Sequence, residues 1–225
     1  MLCSPVYGGG SEEIRIRGVR MLIEAGASVR RDSRSSAGYQ LPLGIAAACG
    51  QLQIVKMLLE AGADVHESRP PDRLTALHAA VESNLNSLGW ANPLRARVGS
   101  AFDIAAVLLA AGADPNAVAD LRTTPLLESA STRKDPSRQH MDAVLLRGGA
   151  RLDHYVRDEL QSIAPPRHRT RGWTPYLDRV YDAGGWKRYA QGHRTRLVKT
   201  FSSKLRLPAD VIPLVVDFWA NVGMY

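Results

Sequence analysis

Cysteine is nearly absent from this chain: Cys3 and Cys49 are the only two among 225 residues. Two thiols cannot build a disulfide framework or supply the closed ligand set of a structural zinc site. With Cys49 placed late in an expected helix, a reducing compartment, cytoplasmic or nuclear, is the expectation. Long apolar runs are missing too. The segment Leu207-Pro-Ala-Asp-Val-Ile-Pro-Leu-Val-Val-Asp-Phe-Trp219 falls well short of the ~20 apolar residues that cross a bilayer. Met1-Leu-Cys-Ser-Pro-Val-Tyr-Gly lacks the basic start and apolar run of a signal peptide, so none is expected.

Catalytic groupings are equally scarce. His66, His140, His168 and His193 show no metal-ligand spacing, and Asp153-His154 has no nucleophile nearby in the sequence. Gly8-Gly-Gly-Ser11 lacks both the lysine and the preceding strand of a phosphate-binding loop. No enzyme activity, metal or cofactor is therefore expected.

What the chain does have is repetition. Gln51-Leu-Gln-Ile-Val-Lys-Met-Leu-Leu-Glu-Ala-Gly-Ala-Asp-Val-His66 recurs as Ala101-Phe-Asp-Ile-Ala-Ala-Val-Leu-Leu-Ala-Ala-Gly-Ala-Asp-Pro-Asn116. Further echoes stand at Gly18–Val29 and His140–Asp153, and the cassette glycines fall at 26, 62, 112 and 149, at intervals of 36, 50 and 37. Periods of this size build stacked modules rather than one closed core. In the clearest copy, Ile54, Met57, Leu58 and Leu59 give a helix an apolar stripe, and Gly62 supplies the left-handed residue beyond its end.

A second motif precedes the last three cassettes. Leu41-Pro-Leu-Gly-Ile-Ala-Ala47, Leu74-Thr-Ala-Leu-His-Ala-Ala80 and Thr124-Pro-Leu-Leu-Glu-Ser-Ala130 resemble the Thr-Pro-Leu-His-x-Ala signature of ankyrin repeats. Pro42 and Pro125 suit a first helical turn, where a missing N–H costs nothing. The resemblance implies an all-α solenoid of stacked helix pairs with β-turn fingers, spanning residues 12–156 as four repeats. It also implies that His78 bonds between adjacent turns. The first unit lacks the opening motif, Pro5-Val-Tyr-Gly-Gly-Gly-Ser11 standing in its place. The third is stretched: Ala76 to Pro125 is 49 residues against 34 for the unit before, which places an insertion at about 84–100 with the Gly, Pro, Asn and Ser content of a loop.

Beyond the repeats, a basic linker at 157–173 leads to residues 174–225, read as a degenerate capping repeat and a terminal helix. Its expected helices are Thr174–Asp182 and Trp186–Phe201, turning at Gly184-Gly185. Trp186, Tyr189, Ala190, His193, Leu197 and Phe201 form one helical stripe that would close the stack, while Lys187, Arg188, Arg194, Arg196 and Lys199 supply the polar outer face that a terminal repeat needs. Trp173 and Trp219 have apolar neighbours and read as packing residues. The tail resembles those of uncharacterised ankyrin-repeat proteins from single-celled eukaryotes, and that likeness brings no function with it.

The family resemblance implies a monomeric, non-catalytic scaffold or adaptor that binds a protein partner through its fingers and concave helix face. Matching positions are Arg30, Arg31, Arg34 and Tyr39 in the first finger, Glu67, Arg69 and Arg73 in the second, and Asp120 and Arg122 in the third. The exposed first-helix pairs are Ala48 and Cys49, Glu82 and Ser83, and Ser131 and Thr132. Trp90, in the insertion, either anchors a partner or folds onto the adjacent repeat. Two rival readings stand beside this one. Leu205-Arg-Leu-Pro-Ala-Asp-Val211 resembles the Leu-Pro-Leu-Pro-x-x-Leu ending of a SOCS box, and an F-box also opens with Leu-Pro; either implies a substrate-recruiting adaptor of a ubiquitin ligase, although Phe201 stands where the SOCS pattern has cysteine. The other rival is polyanion binding, to nucleic acid or anionic lipid. Residues 1–156 carry 17 basic and 16 acidic side chains while residues 157–225 carry 12 and 6, so +6 of the chain's net charge of +7 belongs to the tail.

Overall fold

The computed structural model describes residues 12–30, 41–83, 98–120, 123–131, 137–152, 175–204, 208 and 210–221. The helices are α1 (Glu12–Glu24), α2 (Pro42–Ala48), α3 (Leu52–Glu60), α4 (Ala76–Ser83), α5 (Val98–Ala110), α6 (Pro125–Ser131), α7 (Ser137–Arg147), α8 (Pro175–Asp182), α9 (Trp186–Lys204) and α10 (Val211–Asn221). A single hairpin, β1 (Ser68–Arg69) against β2 (Leu74–Thr75), is the strand structure among the described residues; it is antiparallel, with Ser68 opposite Thr75. The architecture is the all-α solenoid expected.

Two layers of helices carry the stack. The short first helices α2, α4 and α6 pack side by side, and behind them run the second helices α1, α3, α5 and α7. Close approach in the first layer follows from small side chains: Ala46, Ala47, Ala76 and Ala80 are buried there. In the second layer the cassette stripe turns inward, with Ile54, Val55 and Leu58 of α3 matched by Ile104, Ala105 and Leu108 of α5. One continuous core runs from Val19 of α1 to Val180 of α8. A large aliphatic side chain fully buried in it contributes about 1.5–3 kcal/mol.

The cassette glycines end the second helices in one way. At the close of α3, the Gly62 amide donates to the Leu59 carbonyl at 3.0 Å and the Ala63 amide to the Leu58 carbonyl at 2.9 Å. That paired bonding needs a left-handed residue at the turn, and Gly62 has φ +84°. The corresponding amides beyond α1, α5 and α7 bond identically, at Gly26, Gly112 and Gly149.

Two boundaries differ from the sequence reading. α5 begins at Val98, so the end of the expected insertion is helical; the apolar spacing Val98, Ala101, Phe102, Ala105 carries the cassette's period backwards across it. Residues 84–97 lie outside the described ones. At the tail, α9 runs to Lys204, past its expected end at Phe201; the terminal helix starts at Val211, where the Pro208 carbonyl accepts the Val211 and Ile212 amides.

α8 and α9 sit where the cap was expected. Tyr176, Leu177 and Val180 of α8 join the main core, and Trp186 and Tyr189 in the first turn of α9 pack against it. The rest of the α9 stripe is only half-buried, none of its residues being fully enclosed, and there α9 packs against α10. Asp217 of α10 accepts hydrogen bonds from Arg194 Nε at 2.6 Å and its terminal amine at 2.9 Å, fixing the two helices together.

Candidate functional site

The second finger and the first-helix layer beside it form the best-defined polar surface. Pro70-Pro71-Asp72-Arg73 turns the chain between β1 and β2, closed by the Arg73 amide donating to the Arg69 carbonyl at 2.6 Å. Arg73 takes φ +56°, a left-handed conformation that costs a non-glycine residue roughly 1–2 kcal/mol, and its side chain is exposed at the fingertip. Arg69 forks onto Asp72: its Nε donates to both carboxylate oxygens, at 3.1 and 3.0 Å, and its terminal amine forms an ion pair with the same group. Partial burial pushes the Asp72 carboxyl up, but the Arg69 hydrogen bond and charge, together with the Leu74 amide, outweigh it and hold the group below its ordinary value.

Behind the finger, successive first helices bring two glutamates together. Glu82 of α4 is half-buried and its carboxyl is pushed up, first by burial and then by the charge of Glu128, with Arg69 partly offsetting both. Burial pushes up the carboxyl of Glu128 on α6 as well. Asp72, Glu128 and the Arg69 guanidinium thus all act on Glu82. Glu128 was not among the positions matched to the family pattern. Its signal was a charged residue in the middle of the apolar Thr124-Pro-Leu-Leu-Glu-Ser-Ala130, where the third repeat has Ala79.

Of the residues expected to bind a partner, Arg69, Arg73 and Glu82 belong to this surface, and Glu67 is half-buried just before β1. Asp120 is exposed, and its amide donates to the Asp72 carbonyl at 3.0 Å, tying the third finger to the second. Arg30 is exposed beyond α1, far along the chain from these groups. Ala48 is exposed, but Cys49 is not. At 7% exposure Cys49 belongs to the core, a correction to its expected surface role. α2 ends at Ala48, the Cys49 amide closes its last turn onto the Ile45 carbonyl at 2.8 Å, and the residue packs into the core cluster. Ser83 and Ser131 are the last residues of α4 and α6. Arg31, Arg34, Tyr39, Trp90, Arg122 and Thr132 lie outside the described residues.

His78 has the structural part anticipated for it. It is buried, with Nδ1 2.9 Å from Thr75 Oγ1 and Nε2 3.4 Å from the Thr123 carbonyl oxygen. No group of three histidine, cysteine or acidic side chains among the described residues is arranged to hold a metal ion. No described helix is long and apolar enough to cross a membrane.

Layered helix pairs, left-handed glycine turns and a projecting finger define a helical repeat solenoid. The family model for ankyrin repeats matches residues 15–119 in three copies, and the chain is an ankyrin-repeat protein. The helix pair α6–α7 continues the same construction beyond the matched residues. No curated protein matches the chain.

Proposed function

We propose that the protein is a non-catalytic interaction module whose second finger and first-helix layer bind a partner segment carrying a basic side chain. Ankyrin repeats are in general protein–protein interaction modules, and the family is characteristically without catalysis. The observation that carries the finer reading is the charge of Glu128 acting on the half-buried Glu82 of the neighbouring first helix. Burial raises both carboxyls while Arg69 is engaged by Asp72, so a lysine or arginine from outside would favour their charged forms. Arg73 and Asp120 flank the same surface and would set the orientation of the bound segment. A monomer suffices for this role.

Peptide-library selection on the immobilised full chain tests it. Enriched sequences should carry Lys or Arg at a recurring position, and they should be lost when the selection is repeated on the Glu82→Gln/Glu128→Gln variant. Enrichment of sequences without a basic residue, or equal capture by the variant, would remove the reading. The ligase-adaptor reading rests on residues 205–211, of which 205–207 and 209 lie outside the described ones.

A further inference from the structure

We propose that the outer face of α9, together with the adjoining ends of α7 and α8, binds the phosphate backbone of a nucleic acid. α9 is 19 residues long and contains Lys187, Arg188, Arg194, Arg196, Lys199 and Lys204 but no acidic residue. All six are exposed. A helix of that length extends ~28 Å, close to one turn of B-form duplex at about 34 Å.

The positive surface continues across the neighbouring helices. Arg147, in the last turn of α7, and Arg179, of α8, both lie near enough to the Tyr176 hydroxyl to act on it, and Arg179 and Arg196 do the same to the His193 ring. Arg147, Arg179 and Arg196 are all exposed, so basic side chains from three helices stand around the Tyr176 hydroxyl and the His193 ring. The acidic residues of the described tail, Asp178, Asp182, Asp210 and Asp217, stand on or beside α8 and α10. Asp217 forms an ion pair with Arg194 of α9.

What else the face offers decides between partners. The remaining exposed side chains of α9 are small or polar, with Gln191, Thr195, Thr200, Ser202 and Ser203 among them, and none is apolar. A protein interface needs an apolar or aromatic anchor at its centre, and a membrane-surface helix needs an apolar face to bury in lipid. This face has neither. Guanidinium forks and hydroxyl groups are the chemistry of phosphate oxygens, where arginine bonds through two parallel N–H groups. Contacts of that kind carry no base specificity, so binding indifferent to sequence is expected.

Fluorescence anisotropy of a labelled duplex and a labelled single strand with the full chain tests the inference. Binding should weaken by about 100-fold between about 50 and 200 mM salt if four phosphates are engaged. The double variants Arg188→Gln/Lys199→Gln and Arg179→Gln/Arg196→Gln should each bind at least several-fold more weakly and show a flatter salt dependence. Arg17→Gln/Arg20→Gln, exposed on α1 at the other end of the chain, should leave binding unchanged. Thermal melting of each variant confirms that these surface changes leave the fold intact. Vesicles containing phosphatidylserine and a polyglutamate peptide are the competing probes. No salt-sensitive oligonucleotide binding, retention by either competitor as strong as by the oligonucleotide, or variants that bind like the parent would overturn the proposal.

Discussion

His78 and Thr123 are 45 residues apart, yet the imidazole Nε2 of one lies 3.4 Å from the carbonyl oxygen of the other. A carbonyl only accepts, so the ring proton sits on Nε2, and Nδ1 is left to accept from the Thr75 hydroxyl at 2.9 Å. A neutral ring satisfies both partners and joins the third repeat to the fourth across the insertion.

The same arrangement sets a pH dependence. Burial lowers the His78 pKa from its ordinary 6.5, although the Thr123 carbonyl and the Asp72 charge pull the other way. Below 6.5 the unfolded ring takes up a proton that the folded ring still refuses, so stability falls as pH drops from 6.5 toward the lowered value. Urea unfolding between neutral and mildly acidic pH should show this loss. His78→Gln should be less stable at neutral pH by about 1–3 kcal/mol, from imperfectly replaced buried bonds, and should lack that part of the pH slope.

For Glu82 and Glu128 the sign reverses. Their carboxyl values are raised in the folded chain, so between the ordinary 4.5 and the raised value the folded state binds more protons, and stability falls as pH rises through that window. Glu82→Gln and Glu128→Gln should each stabilise the chain at neutral pH, by less than about 1 kcal/mol because both groups remain partly solvated. A gain in melting temperature accompanied by loss of partner binding is the outcome expected of residues kept for function.

Gly62 gives a cleaner stability test. A Cβ there would meet nothing within 4 Å, so the cost of a larger residue is conformational, arising from φ +84°. Gly62→Val should lower stability by about 1–2 kcal/mol, read by thermal or urea unfolding. A variant that unfolds like the parent would mean the turn tolerates a β-branched residue.

Cys49 offers a direct check on the corrected surface. In a Cys3→Ser background its thiol should resist an aromatic disulfide reagent under native conditions and react fully in denaturant, as a buried cysteine does. Rapid native labelling would return it to the binding face.

Local signals carried most of the fold. Gly26, Gly62, Gly112 and Gly149 are legible because a left-handed turn is a demand of one residue on its own backbone, and the cassette stripe is legible because a helix repeats its face within a few residues. Which way Cys49 turns is not local, since it depends on where α2 stops relative to the pair behind it. The influence of Glu128 on Glu82 was hidden for the same kind of reason. The two residues are separated by the insertion, and only the stacking of α4 on α6 brings them together. Arg179 and Arg196 counted among the tail's basic residues and His193 in its packing stripe, but their convergence needed the helix packing.

The tail's part in stability can be separated from its charge. Tyr176, Leu177 and Val180 belong to the main core, and Trp186 and Tyr189 pack against it, so residues 175–189 cover the end of the fourth helix pair. Removing residues 157–225 should uncover apolar surface around Met141 and Leu145, and a repeat array whose end lacks a polar cover loses solubility. The shortened chain is expected to bind hydrophobic dye, to associate in light scattering and to melt lower than the full chain. A milder change makes the same point without deletion: Leu177→Ala should cost about 2–5 kcal/mol, because the side chain is fully buried and its neighbours belong to two packed helix pairs. Arg188→Gln, on the exposed face of α9, should leave the melt within about 0.5 kcal/mol of the parent. A shortened chain that stays monomeric and melts like the whole would show that the cap contributes charge alone.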